Sequence, residues 1–175
     1  MAPLKTFRLS YDFRISTTLF SFRFERTRNA APTLRREGVG VVVLLPAGFE
    51  FARPTSLLWA NRVLAEVLRR RAQEVLPPRL DALARLYGLR YHRVVIKNVR
   101  TRWGSCSGLG NINLSLWLLL APEHLVDYVI KHELAHLEEM NHGPRFWAVL
   151  DRMTGGRARA LKREMDAFSR SLWEL

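Results

Sequence analysis

The stretch Lys131-His132-Glu133-Leu134-Ala135-His136-Leu137 governs how the rest of the chain is read. On a helix, residues four apart differ by about 40° of rotation and one turn, so His132 and His136 can direct ring nitrogens at one metal ion. Glu133 stands beside the first of them and reaches the adjacent space. Zinc takes two such imidazoles, a third protein ligand and a water whose pKa falls to roughly 7; a carboxylate at this position can accept the water's proton. The pattern therefore points to one Zn²⁺ ion, with Glu133 as the catalytic acid/base.

Ala121-Pro122-Glu123 marks the helix start, since proline suits a first turn and a glutamate favours the positive end of the helix dipole. This places the motif in mid-helix. Leu125, Val126, Val129, Ile130, Leu134 and Leu137 recur at intervals of three and four, one apolar stripe packed on a core. His132 and Glu133 fall at or near the packed side, where unpaired polar groups cost several kcal/mol. That cost favours a metal site over two ordinary core histidines.

A third ligand is expected, and His142 follows six residues after His136. On a continuing helix it would point away, about 240° round, so the helix must break first. Asn141 can take the left-handed conformation that ends helices, and Gly143-Pro144 prevents smooth continuation. The interval matches the metzincin pattern, but Glu139 stands where that pattern has glycine. Glu164, from a downstream helix, is the rival ligand.

Arg102-Trp103-Gly104-Ser105-Cys106-Ser107, Gly110-Asn111-Ile112-Asn113-Leu114, Asp127 to Ile130, His132 to His136, Asn141-His142 and Phe146-Trp147 together resemble the YgjP-like metallopeptidase family. Order and spacing match closely from about Arg100 to Trp147 and loosely elsewhere. The resemblance implies a zinc-dependent peptidase with His132, His136 and His142 as metal ligands and Glu133 as catalytic acid/base. Its implied fold is α+β, a zincin-like domain with an antiparallel sheet packed against the active-site helix. Two departures are visible: Ser115 stands where asparagine is expected, and Thr154-Gly155-Gly156 where a proline and an aromatic are common.

Gly108-Leu109-Gly110 forms a turn between Arg102–Ser107 and the alternating strand Asn111 to Leu116, so the segment reads as a hairpin. In similar peptidases such a strand edges the cleft and pairs with a peptide substrate; Asn111, Asn113 and Ser115 are the corresponding candidate substrate contacts. Trp103 reads as a core aromatic. Tyr128, His124 and Arg145 are near in sequence, yet none is singled out as an oxyanion stabiliser. Cys106 is the only cysteine, which excludes an internal disulfide and suits a reducing compartment.

The 175 residues suit one compact domain. Phe20, Phe22 and Phe24 alternate, as do Val39, Val41, Val43 and Leu45, giving two strands with a turn at 35–38. These belong to an N-terminal strand-rich segment, 1–53, which either forms a small lobe or joins the main domain, 54–175. Pro54-Thr55-Ser56 starts a helix to about Val75; Pro77-Pro78 opens another that stops near Gly88. Val94 to Asn98 is a strand, and Pro144–Met153 and Arg159–Trp173 are helices.

No membrane span or signal-type apolar run is evident, so a cytoplasmic protein is expected. The net charge is +12, from 28 basic and 16 acidic residues, and nearly all the basic ones are arginine. Arginine suits phosphate recognition, so a nucleic-acid or nucleotide partner is one reading and genomic arginine bias the other. Arg69-Arg70-Arg71 is the densest run. Three alternatives to a general peptidase follow: a DNA-associated peptidase of the similar SprT-like type, a metal-dependent nucleotide pyrophosphatase, and an arginine-rich nucleic-acid binder with a structural metal. The last is disfavoured because structural zinc is usually closed by four protein ligands.

Overall fold

The computed structural model describes residues 7–173. Its elements are α+β, as the sequence leads one to expect. Strands β1 (Arg14–Ser16), β2 (Ser21–Thr27), β3 (Thr33–Glu37) and β4 (Gly40–Pro46) form a sheet in the order β1-β2-β4-β3, with β2 and β4 parallel and the outer pairs antiparallel. Helix α1 (Pro54–Leu86) leads to a second sheet of β5 (Arg93–Lys97), β6 (Gly104–Cys106) and β7 (Asn111–Ser115), ordered β5-β7-β6. A 3₁₀ turn, Leu116–Leu120, then feeds α2 (Glu123–Ala135), α3 (Pro144–Thr154) and α4 (Ala158–Trp173).

The alternation seen in the sequence builds the first sheet's core face: Phe22 and Phe24 from β2 and Val43 and Leu45 from β4 are all buried. The opposite face has its own logic. Val42 is buried between its cross-strand neighbours Arg23 and Arg35, whose guanidinium groups join Glu25 and Glu37 in a ring of ion pairs. Arginine stems thus cover apolar surface while the charged heads stay in water. Much of the arginine here is held in pairs with carboxylates.

Residues 35–37 are strand, not turn; the reversal is confined to Gly38 and Val39. Gly38 sits at φ 56°, the left-handed value a two-residue hairpin loop requires. All of β3 is exposed, so it has no apolar alternation by which sequence could reveal it. Arginines 35 and 36 suit an edge strand, because like charge discourages pairing with a second copy.

The two helices expected around Pro77-Pro78 are one helix of 33 residues. Two prolines remove two amide donors and strain the preceding turn. Against that stands a buried row, Leu64, Leu68, Ala72, Leu76, Leu80 and Ala84, one residue every turn on both sides of the prolines. Each large member contributes about 1.5–3 kcal/mol by burial, which outweighs the proline penalty. The row joins Phe22 of the first sheet and Ile112 of the second in one apolar cluster.

The second sheet is mixed, not antiparallel. The β6–β7 hairpin is antiparallel as read, but β5 lies parallel to β7 on its other side. Ser115 ends β7 and caps the 3₁₀ turn by accepting from the Trp117 amide, and all five residues of that turn are buried. The sheet and turn thereby fix where α2 begins. Helix α2 then packs on β6, α3 and α4.

Candidate metal centre

Helix α2 is held by its apolar stripe, of which Leu125, Val126, Val129, Ile130 and Leu134 are buried. Arg79 of α1 clamps its first turns through Glu123 at 2.8 Å and Asp127 at 3.0 Å. The helix ends at Ala135, so the HExxH residues occupy its final turn instead of its middle. His136 keeps a helical conformation as the cap, and the amides of Leu137, Glu138 and Glu139 fold back on the carbonyls of Leu134 and Ala135. The break therefore precedes Asn141, which is not left-handed: among the described residues only glycines have positive φ. Pro144 then starts α3 in the position that needs no amide donor.

This reversal brings His142 back over the helix. Its Nε2 lies 3.0 Å from His132 Nε2, and its ring centroid is 4.7 Å from that of His136. Ligand nitrogens of all three histidines fall within 4.8 Å of one another. Two nitrogens each about 2.0–2.1 Å from a tetrahedral ion stand about 3.3 Å apart, so the donor set suits one small divalent cation. His136 Nδ1 is 3.2 Å from the Glu139 carbonyl, a backbone acceptor that makes Nδ1 the donor and leaves Nε2 as the ligand atom. Phe146, wholly buried, presents its ring to all three imidazoles at 4.6–4.9 Å.

Burial drives the electrostatics. His132 is pushed down to about 3 by desolvation, aided by His136, His142 and Lys162. His136 is lowered as well, again chiefly by burial. Both are thus neutral at neutral pH, the form that ligates metal. Glu133, 5% exposed, is pushed up to about 8 by burial against the opposing influence of Arg102. Its carboxylate has no hydrogen-bond or ion-pair partner among the described residues, which leaves both oxygens for chemistry.

Sequence reasoning assigned no role to Gly104, yet β6 meets the site there. A Cβ at this position would stand 2.6 Å from Glu133 Oε1 and 2.7 Å from its Cγ. Only glycine lets the strand approach so closely. The one available signal was a glycine inside a strand pattern, which marks close backbone approach.

Asn111, Asn113 and Ser115 are placed differently from expectation. Strand β7 is central, its main chain paired with β5 and β6, so it offers no free edge. Gly104 pairs with Leu114 on the face toward Glu133, and alternation puts Asn113, Ser105 and their neighbours on the other face. There Asn113 donates to Ser105 Oγ at 3.1 Å, Asn111 to Ser107 Oγ at 3.3 Å, and Ser115 to the Val99 carbonyl at 2.6 Å. Hairpin and 3₁₀ turn are what these side chains hold together. The strand with a free edge beside Glu133 is β6.

Glu164 lies apart from the histidine cluster, where it pairs with His124 and ties α4 to the start of α2. Tyr128 is buried with its ring 6.0 Å from that of His132, and burial raises its hydroxyl to about 12. Trp103 packs on Phe168 and donates to Ser169 Oγ at 2.7 Å, pinning the entry to β6 on α4. Cys106, at the far end of β6, has its thiol pushed up to about 11 by burial and by Glu133.

Three converging imidazoles and an adjacent buried carboxylate are the parts of a metal-dependent hydrolase. The model of the YgjP-like metallopeptidase domain matches residues 49–168, and the chain belongs to that family. Among solved structures, the metallopeptidase zymogen abylysin of Pyrococcus abyssi is similar at 23% identity, over 52% of this chain and 91% of that one, with a TM-score of 0.47. No curated protein matches. Among the described residues no helix is long and apolar enough to cross a membrane.

Proposed function

We propose that the chain is a zinc-dependent peptidase in which His132, His136 and His142 hold one ion and Glu133 moves the proton. The convergence of three histidine nitrogens within 4.8 Å, beside a buried unpaired glutamate, carries this reading. When bound there, zinc supplies Lewis acidity, polarising a carbonyl oxygen and acidifying water. Glu133 takes a proton from water at a carboxylate oxygen and passes it to the leaving amine. Strand β6 offers its free main-chain edge to an extended substrate, and Gly104 keeps that edge level with the carboxylate.

Metal analysis and proteolysis of purified protein test the reading together. Wild type should carry close to one zinc, His142→Ala should lose it, and Glu133→Gln should keep zinc while losing peptide cleavage by at least about a hundredfold. Wild type without zinc-like metal would sink the proposal. Release of pyrophosphate from a nucleoside triphosphate without cleavage of any peptide would move the same metal centre to a different substrate.

A further inference from the structure

Between α1 and the β3–β4 hairpin lies a groove of about 560 Å³, lined by none of the metal-centre residues. Leu34 and Val39 at the lip are 57% and 40% exposed, and Val41, Val63 and Val67 line the interior. Exposed apolar surface in a concave setting is characteristic of a binding surface.

Two further observations restrict what fits. β3 is an edge strand whose only partner is β4. Every second residue of an antiparallel edge strand directs its amide and carbonyl outward, so the lip offers main-chain hydrogen bonds beside an apolar trough. The rim is cationic: Arg36, Arg62, Arg70 and Arg71 against Glu66 and Glu74. Glu74 already pairs with Arg36 and Arg71, and Glu66 with Arg70. Arg62 is exposed and has no such partner among the described residues, which leaves uncompensated positive charge on the rim.

We infer that this groove docks an extended segment of a partner polypeptide that adds a strand to β3 and whose groove-facing side chains, every second residue, are aliphatic and acidic in turn. The aliphatic side chains enter the trough between Leu34 and Val63, and the acidic ones meet Arg62 and the neighbouring arginines. Nucleic acid is a poorer fit, because phosphates gain nothing from an aliphatic floor and would meet Glu66 and Glu74. A second copy of this chain would set two cationic rims against each other. The acidic strand satisfies floor, edge and charge at once.

Fluorescence anisotropy on the full chain tests the assignment directly, with no reliance on hydrolysis. The probe is a short labelled peptide in which every second residue is threonine and the residues between are valine and glutamate in turn, with three comparisons: a lysine–valine counterpart with lysine for each glutamate, the glutamate–valine peptide N-methylated at every second amide, and a duplex oligonucleotide. The expected result is saturable binding of the first probe alone, weakened roughly tenfold or more by Arg62→Glu and by Leu34→Asp. Both substituted positions are exposed, and equal thermal melting of the variants shows that the fold survives. Absence of binding to wild type, equal binding of the N-methylated or lysine–valine peptide, or DNA binding lost in the same variants would each overturn the inference. So would a dimer in sedimentation that Leu34→Asp dissociates.

Discussion

A methyl group at position 104 would land 2.6 Å from Glu133 Oε1, inside any tolerable contact distance. Gly104→Ala must therefore move the strand or the carboxylate, and a shift of about 1 Å in a catalytic group costs up to a hundredfold. The expected phenotype is a roughly tenfold to hundredfold drop in kcat/KM with zinc content unchanged, read by kinetics and metal analysis on one preparation. Glu133 itself carries a stability signature. Its folded pKa of about 8 lies above the ordinary carboxyl value of 4.5, so the folded state retains a proton that the unfolded chain has lost. Its contribution in the metal-free protein is thus full below pH 4.5 and is lost as pH rises through 8. Metal-free Glu133→Gln should melt well above metal-free wild type at pH 9 and close to it at pH 4.5, and equal melting at both pH values would contradict a buried carboxylate. At this scale the sequence was informative where spacing encodes geometry, since His132, His136 and His142 need only a helix and a break. It assigned no role to Gly104 or Phe146, whose significance depends on what lies across from them.

Elements divide along the same line. α2, α3, α4 and the β6–β7 hairpin announce themselves through periodicity, caps and turn residues. β3 has no apolar alternation because neither side is buried, and α1 reads as two helices because local proline chemistry argues against a continuity that only the tertiary row from Leu64 to Ala84 enforces. The central position of β7 was equally hidden, since strand order depends on β5 returning from far along the chain. The joint between α1 and α2 gives an element-scale prediction. Arg79 reaches both Asp127 and Glu123 in a partly buried setting, so Arg79→Ala leaves two carboxylates without their cation. Urea unfolding should show a loss of about 1–3 kcal/mol, and a cycle with Asp127→Asn should show strong coupling, while kcat/KM moves by less than about threefold.

For the molecule as a whole, the proposed metal would be linked to folding, because the three histidines come from α2 and the turn that follows it and converge only when that turn is made. At zinc a hundredfold above its dissociation constant the native state gains about 2.7 kcal/mol, which for a chain of this size corresponds to roughly 5–10 °C in Tm. Chelation should reverse that gain in wild type, and His142→Ala should show little change on chelation by differential scanning fluorimetry. The groove and the metal centre share one support. α1 lines the former with Arg62, Val63 and Val67 and, further along, packs on β5, the 3₁₀ turn and α2. One helix thus supplies core to both sheets. Loosening one sheet strips apolar cover from the helix and so from the other sheet, and proteases should meet a chain that yields all at once or not at all.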